Sequence, residues 1–192
     1  MVNNRADSKK TEDSTKFSSF LEIPNGVAVE VNGNMICVTG KSTELIGIES
    51  KSIKVKVEGK ILKLYAESDN KRIRKQIGTT KAHIKNRFKG VINGHFYRLK
   101  ICSGHFPMNV SISKNEFIVK NFVGEKVPRI MKINERVKVK IEGDYVIIEG
   151  SNKDLAGQVA ASIEQLTRRP GYDARVFQDG IYIISKDGQE IK

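Results

Sequence analysis

The triplet Gly40-Lys41-Ser42 has the residue types of a nucleotide-binding loop. Such a loop needs another glycine five residues before Gly40, so that backbone amides can surround the phosphates. That position is Met35, inside a predicted strand, and no clear amphipathic helix begins at Ser42 to favour anion binding with its dipole. The triplet therefore predicts a chance match rather than an ATP or GTP site.

The other residue types that could do chemistry are three histidines and two cysteines: His83, His95, His105, Cys37 and Cys102. The histidines are not at metal-ligand spacings and have no cluster of cysteines or carboxylates beside them. No nucleophile is paired with a base along the chain. The cysteines lie singly in apolar, strand-like runs, which is typical of reduced thiols in the cytosol. We therefore predict no catalytic residue, no metal site, no cofactor and no small-molecule substrate.

Positions 70–115 carry 11 Lys and Arg residues and no Asp or Glu. The whole chain has 34 basic and 22 acidic residues, so this basic block supplies nearly all of the net charge of +12. Concentrated like charge destabilises a compact fold, and a block of one sign therefore favours a polyanionic partner, RNA or DNA first. A solvated basic helix face is the alternative. The RNA contacts predicted in the block are Arg72, Lys75, Lys85, Arg87 and Lys89.

A second group of candidate contacts lies in and after the second predicted helix. The segment 166–175 reads Leu-Thr-Arg-Arg-Pro-Gly-Tyr-Asp-Ala-Arg. Arginine can fork onto a phosphate, and tyrosine can stack or donate to a backbone oxygen. An ordinary helix-ending turn with basic residues near the helix dipole is the alternative. The RNA contacts predicted here are Lys153, Arg168, Arg169, Tyr172 and Arg175.

Alternating strands and glycine turns must position these residues. The segments 29–40 and 139–150 share one pattern, with Gly33 and Gly143 in tight turns and a glycine seven residues after each. The same pattern recurs at 53–64 and 177–183. We predict that the first two segments superpose, with Gly33 matching Gly143 and Gly40 matching Gly150, as copies from an internal duplication.

Each copy has one predicted helix to cover its sheet. In the first half the apolar stripe is Ile73, Ile77, Ile84, Phe88 and Val91, with basic residues on the other faces. In the second half a helix start at Ser151–Asp154 leads into Leu155, Val159, Ile163 and Leu166. Hairpins with one covering helix each predict an α+β fold of two similar domains, each a mainly antiparallel sheet. The predicted limits are a polar extension at 1–20, a first domain at 21–95 and a second at 96–192. The absence of an apolar run of 18 residues predicts no transmembrane helix.

Several ordered motifs resemble a known family. They are His105-Phe106-Pro107-Met108-Asn109-Val110, Asn121-Phe122-Val123-Gly124-Glu125-Lys126 and Gly90-Val91-Ile92-Asn93-Gly94-His95-Phe96-Tyr97. The family is the universal large-subunit ribosomal protein number six, in its eukaryotic form, where it is protein number nine of the large subunit. The resemblance extends from Ile23 to Tyr182. It departs from the bacterial form at Tyr172-Asp173-Ala174-Arg175, so bacterial RNA contacts do not transfer there.

This resemblance implies a duplicated α+β protein with a structural role in the large ribosomal subunit in the cytoplasm. It implies no enzymatic step. The implied partners are the large-subunit rRNA, neighbouring ribosomal proteins and, nearby, the translational GTPases that dock beside the sarcin-ricin loop. The family attributes rRNA binding mainly to the second domain, whereas the charge pattern indicates the first helix.

Two other classes stay open from the residues alone. A non-ribosomal RNA-binding module would share the basic block but would bind single strands through aromatic stacking, which the lack of Trp and the 7% aromatic content disfavour. A nucleotide-binding enzyme would need the loop at Gly40 to hold phosphate.

Overall fold

The two halves of the chain repeat one order of six strands and a helix. The computed structural model describes residues 17–48, 50, 52–173 and 175–191. The first half contains β1 (Phe17–Glu22), β2 (Ala28–Asn32), β3 (Met35–Thr39), β4 (Thr43–Gly47), β5 (Ile53–Glu58), β6 (Ile61–Ala66) and α1 (Lys71–Asn93). The second half contains β7 (His95–Cys102), β8 (Asn109–Ser113), β9 (Glu116–Lys120), β10 (Arg129–Lys132), β11 (Val137–Glu142), β12 (Tyr145–Gly150), α2 (Lys153–Leu166), β13 (Gly180–Lys186) and β14 (Gln189–Glu190). The predicted α+β class is confirmed.

In each half the strands form two antiparallel sheets. The first half has the strand orders β1-β6-β5 and β2-β3-β4. In the second half β7 takes the place of β1, so the orders β7-β12-β11 and β8-β9-β10 repeat those of the first. Strands β13 and β14 extend the first of these sheets on the other side of β7, to five strands. The predicted internal duplication is confirmed.

The hairpins that correspond between the two halves are not the predicted ones. Gly33 begins the turn between β2 and β3, whereas Gly143 begins the turn between β11 and β12, and these hairpins are not equivalent. The counterpart of Gly143 is Gly59, between β5 and β6, and the two have φ angles of +58° and +60°. The predicted superposition of 29–40 on 139–150 is therefore wrong. Two-residue hairpin turns all favour a residue with positive φ, so equal spacing recurs at hairpins in different places.

The turn predicted inside 177–183 is also wrong. Gly180 lies in β13, where it pairs with Cys102 of β7, and the residues before it belong to the loop after α2. A tight hairpin joins β8 and β9, with Lys114 and Asn115 both at positive φ in its turn.

Helix α1 packs on the first-domain sheets through its predicted apolar stripe. All five stripe residues are buried in one cluster with residues of β3, β4, β5 and β6. The helix ends because Gly94 takes a φ of +77° and its N–H donates to the carbonyl of Gly90 at 2.9 Å. The packing leaves the basic residues of α1 to the other faces of the helix.

Helix α2 begins at a side-chain cap. Asn152 Oδ1 accepts hydrogen bonds from the N–H groups of Asp154 at 2.9 Å and Leu155 at 3.4 Å. Small residues let the helix lie close to the five-stranded sheet, and at Gly157 a Cβ would lie only 3.0 Å from the Tyr97 hydroxyl. Its buried residues are Ala156, Val159, Ala160 and Ile163.

The chain enters the first domain earlier than the predicted limit of residue 21. Strand β1 begins at Phe17 and pairs with β6, with Phe17 and Leu21 packed against the first core. Two serines between them dilute the apolar signal, which is why the strand resembles a polar extension in the sequence. Residues 1–16 of the predicted extension lie outside the described residues. Among the described residues no helix is long and apolar enough to cross a membrane.

Candidate nucleic-acid interface

Some cations of helix α1 pair with carboxylates of the second domain, whereas others are exposed to solvent. Arg87 is only 8% exposed, and its Nη2 donates to Asp154 Oδ2 at 3.0 Å. Lys89 Nζ donates to Asp187 Oδ2 at 2.6 Å. Both carboxylates belong to the second domain, so two residues predicted to face phosphate instead join the domains. Sequence patterns cannot reveal this, because the partners lie 67 and 98 residues further along the chain.

These pairs belong to a larger contact between the domains, the interdomain seam, formed by Glu44, Arg87, Lys89, Gly90, His95, Ser151, Asp154 and Asp187. Ser151 Oγ donates to the buried Glu44 carboxylate. His95 is fully buried, with Nε2 at 2.9 Å from Asn86 O and Nδ1 at 3.1 Å from Asp187 Oδ1. The seam therefore fixes α1 against the second domain through polar groups, of which Glu44, Arg87 and His95 are buried while Lys89 and Asp154 are about half exposed.

Other cations of the block stay exposed. Arg72, Lys75 and Lys85 lie on the solvent side of α1, and within the described residues none of them forms an ion pair. Arg74 differs, because Nε and Nη2 each lie 2.5 Å from a carboxylate oxygen of Asp69. Lys71, at the start of the helix, is exposed as well, so the charge that α1 can offer to a phosphate lies on Lys71, Arg72, Lys75 and Lys85.

Replacing Arg87 with methionine should leave RNA affinity and its salt dependence unchanged. The free energy of unfolding should change by less than about 1.5 kcal/mol, since apolar packing often replaces a buried ion pair without loss. Among the residues that the structure describes, Arg87 Nε and Nη1 are buried without a hydrogen-bond partner, and the Asp154 side chain, 53% exposed, stays solvated when Arg87 is removed. Lys75→Met is the matched control, and it should lower the slope of log affinity against log salt concentration by about one. Filter binding at several salt concentrations measures this slope. If Arg87→Met lowered the slope as much as Lys75→Met does, Arg87 would be a phosphate contact after all.

The loop between α2 and β13, residues 167–179, is anchored at both ends by buried polar side chains. Thr167 Oγ1 accepts from the N–H of Ile181 at 2.9 Å and donates to Glu164 O at 3.2 Å. At the other end Asp179 Oδ1 accepts from the N–H groups of Gly104 at 2.5 Å and His105 at 3.0 Å. Fixed ends reduce the entropy that the loop would lose on binding a partner.

Four side chains in and beside this loop contact one another in series, and we call them the tip array. The ring centroids of His105 and Phe177 are 5.1 Å apart, as are those of Phe177 and Tyr172, which meet edge to face. Arg169 Cζ lies 3.9 Å from the Tyr172 ring centroid, and its Nη2 donates to Tyr172 Oη at 2.9 Å. Because each contact restrains the next side chain, three rings and a cation form a preorganised surface.

A nearly buried carboxylate orients the histidine of the tip array. His105 Nδ1 lies 2.5 Å from Oδ2 of Asp179, whose side chain is 4% exposed. Burial raises the pKa of Asp179, but hydrogen bonds from His105 and from the Gly104 N–H outweigh burial and lower the pKa below its usual value. Asp179 is therefore ionised at neutral pH and accepts a hydrogen bond from the Nδ1–H group of His105. Nε2 of the His105 ring, which is 43% exposed, is left for a partner.

Arg129 of β10 links Glu125 to the end of α2, where the loop begins. It donates to both oxygens of Glu125, at 2.8 and 2.6 Å, and to Leu166 O at 2.6 Å at the carbonyl end of α2. The guanidinium also lies 4.4 Å from the Phe122 ring centroid. The hydrogen bonds from Arg129 lower the pKa of Glu125, and the nearby charge of Arg169 adds to that effect. The negative charge of Glu125 is thus balanced by Arg129 and does not repel an anionic partner.

A cavity of about 720 Å³, the tip cavity, lies between this loop and the short 3-10 turn Phe122–Gly124. Aromatic side chains and two arginines form much of its lining: Phe122, Tyr172, Phe177, Tyr182, Arg168 and Arg169. Burial raises the pKa of Tyr182, so this phenol remains a hydrogen-bond donor at neutral pH. Polar residues, among them Glu164, Gln165 and Asp179, form the rest of the lining, so the cavity offers both ring surfaces and hydrogen-bonding groups to a ligand.

The predicted residues of the second domain divide between two places. Arg168, Arg169 and Tyr172 meet at the tip cavity, and Arg175 is exposed on the same loop. Lys153 lies in the first turn of α2, at the opposite end of a helix about 20 Å long. Lys153 is therefore separate from the tip.

Sequence reasoning missed His105 and Phe177 as candidate contacts. His105 stands in one of the motifs that resemble the family, but a single sequence gives no signal that His105 meets Asp179, 74 residues away.

The motifs with other possible chemistry take structural positions. Gly40-Lys41-Ser42 lies between β3 and β4, where the N–H of Gly40 donates to Ser42 O at 3.0 Å. The triplet thus joins two strands, and a phosphate loop would require a helix after it. Both cysteines are half-buried free thiols. Within the part of the chain that the structure describes, no three His, Cys, Asp or Glu residues converge as metal ligands would.

Comparison with known proteins identifies the family. A profile described as Ribosomal protein L6 matches twice, at residues 23–94 and 106–180, once in each half. The large ribosomal subunit protein uL6 of Methanococcus vannielii is 42% identical over 170 residues, which cover 88% of this chain and 93% of that protein. The uL6 of Methanosarcina mazei is 40% identical over 173 residues, covering 89% of this chain and 98% of that protein. With a family match in both halves and relatives this similar over nearly their full length, the chain belongs to the ribosomal protein L6 family.

Proposed function

We propose that this protein binds large-subunit rRNA mainly through the tip of its second domain, with the exposed cations of α1 as a second contact. Family membership makes the chain a structural constituent of the large ribosomal subunit rather than an enzyme. The observation that carries the proposal is the tip array beside the tip cavity, where Arg169 and Tyr172 are fixed against each other and Arg168 lines the same cavity. Phosphate contacts from arginine and stacking contacts from aromatic rings are the two common means of binding RNA.

We also propose that the bound rRNA lies near the sarcin-ricin loop, close to where translational GTPases dock. The family resemblance supports this position, and the anchored loop suits it, because a rigid protein contact can hold an RNA element in one orientation. The protein would then support translation in the cytoplasm by positioning RNA that the GTPases use. Neighbouring ribosomal proteins are the other expected partners.

A double substitution, Arg168→Ala with Arg169→Ala, should weaken binding to an in vitro transcript of large-subunit rRNA. Each lost phosphate contact should lower the slope of log affinity against log salt by about one, so the expected change is about two. Affinity in moderate salt should fall about tenfold. Chemical footprinting on the same complexes should show lost protection around the sarcin-ricin loop.

The matched control is Lys138→Ala with Lys140→Ala, which removes two exposed cations from edge strand β11. This pair should leave the slope and the footprint unchanged. Equal effects from both pairs would mean that binding depends on net charge alone, and the proposed interface would be wrong. Lost protection at another rRNA site would keep the tip as an interface and reject the sarcin-ricin position.

A further inference from the structure

We propose that the tip cavity binds one unpaired base of the RNA, which stacks on Tyr172 while Arg168 contacts the adjoining phosphate. This inference rests on the proposed function, since it specifies the form of RNA that the tip recognises. It differs from phosphate binding to a duplex, for which cations alone are sufficient.

The size and walls of the cavity suit a base. Its volume of about 720 Å³ falls within the range of about 300–1,000 Å³ that is typical of small-molecule sites, which leaves room for one nucleotide. Four of its lining side chains are aromatic, in a protein whose overall aromatic content is 7%. The low content disfavours single-strand binding only if the rings are scattered, and here they are gathered at one site.

Tyr172 is the ring best placed to stack. It is 45% exposed although it is large and mostly apolar, and its orientation is fixed by Arg169 and by the edge-to-face contact with Phe177. A ring already fixed in place loses little side-chain entropy when a base stacks on it. The Arg169 guanidinium strengthens the platform, because stacked arginine also attracts a nucleobase.

Paired RNA would leave these features without a partner. An A-form duplex presents phosphates, 2′-hydroxyls and shallow base edges, whereas ring faces become available only in loops, bulges and ends. The cations at the cavity, Arg168 and Arg169, favour a polyanion over a neutral peptide. The two carboxylates in the lining already have partners, because Asp179 is hydrogen-bonded to His105 and Glu164 accepts from the N–H of Ile183 at 3.1 Å. The walls and the charge together therefore favour an unpaired nucleotide.

The test uses the full chain and two RNA hairpins of equal length and charge, each with one 2-aminopurine. In one hairpin this base is paired with uridine in the stem, and in the other it is an unpaired bulge. The protein should bind the bulged hairpin about tenfold more tightly, a change within the range that base–aromatic stacking supports. The bulged base should lose fluorescence on binding and become protected from acrylamide quenching, a readout that needs no variant.

Tyr172→Ala should remove the preference for the bulge and leave affinity for the paired hairpin, whereas Tyr172→Phe should keep the preference. The matched control is Tyr145→Ala, because Tyr145 also stacks with an arginine, Arg98, at 4.1 Å, but lies in β12 away from the cavity. A second variant, Arg169→Gln, removes the stacked cation and should weaken the preference for the bulge. Thermal melts of each variant check that it is folded.

Equal affinity for the two hairpins with an unprotected base would overturn the base pocket and leave rRNA binding by the tip intact. A preference that persists in Tyr172→Ala would also overturn it, since the base would then bind elsewhere. If neither hairpin binds and the rRNA transcript does not bind either, the proposed function fails together with the inference.

Discussion

Replacing Gly90 with alanine should lower the free energy of unfolding by about 3 kcal/mol, at the upper end for an overpacked site. A Cβ at this position would lie 1.9 Å from Ser151 O and 3.0 Å from two atoms of the His95 ring. The first is a backbone atom, and the second belongs to a buried ring that contacts Asn86 O. The added methyl group can fit only if α1 moves away from the second domain, which would disrupt the interdomain seam. Urea unfolding followed by circular dichroism measures the change.

Gly78→Ala, on the same helix, is the matched control. Gly78 is exposed, and no atom of the described residues lies within 4 Å of a Cβ built there, so the substitution should stabilise the protein by about 0.5–1 kcal/mol through helix propensity alone. A Gly90→Ala protein as stable as the wild type would contradict the close approach of α1 to Ser151.

The sequence predicts the helices and strands of this fold better than it predicts which strands of the two halves correspond to each other. The stripe from Ile73 to Val91 predicts the buried face of α1 because helical periodicity depends on residues a few positions apart. The match of Gly33 to Gly143 fails because a hairpin turn is also local and repeats several times in each half. Which hairpin corresponds to which depends on strand order in the sheets, a long-range property that spacing alone does not record.

The candidate site divides in the same way. The sequence predicts that Arg168, Arg169 and Tyr172 lie together, because they are close in the chain and share one loop. The charge of Arg87 predicts a phosphate contact, but burial against Asp154 of the other domain decides its position. Exposure and long-range partners therefore limit what residue types and spacing can assign.

A second large effect is expected for Asp187→Asn, which should lower the free energy of unfolding at neutral pH by about 2–3 kcal/mol. Asp187 is 14% exposed, and its carboxylate contacts Lys89 Nζ at 2.6 Å and His95 Nδ1 at 3.1 Å. It has a φ of +55° in the turn between β13 and β14, a conformation that asparagine adopts readily, so the change removes charge without straining the backbone. His95, which is fully buried, then faces a neutral amide in place of a carboxylate.

The pH dependence of this difference identifies its cause. Burial raises the pKa of Asp187, but the hydrogen bonds and charges of Lys89 and His95 outweigh burial and lower the pKa. A carboxyl group with a lowered pKa in the folded state stabilises the protein fully above its unfolded pKa of about 3.9, and this stability is lost as the pH falls through the folded pKa. The free energy of unfolding of the wild type should thus exceed that of Asp187→Asn by a constant amount between about pH 5 and 7, and this difference should disappear below about pH 4.

The matched control is Asp144→Asn, at an exposed turn, which should change the free energy of unfolding by less than about 0.5 kcal/mol at every pH. If the advantage over Asp187→Asn persists undiminished into strong acid, the carboxylate charge is not what holds α1 to the second domain, and packing around Gly90 must do so instead.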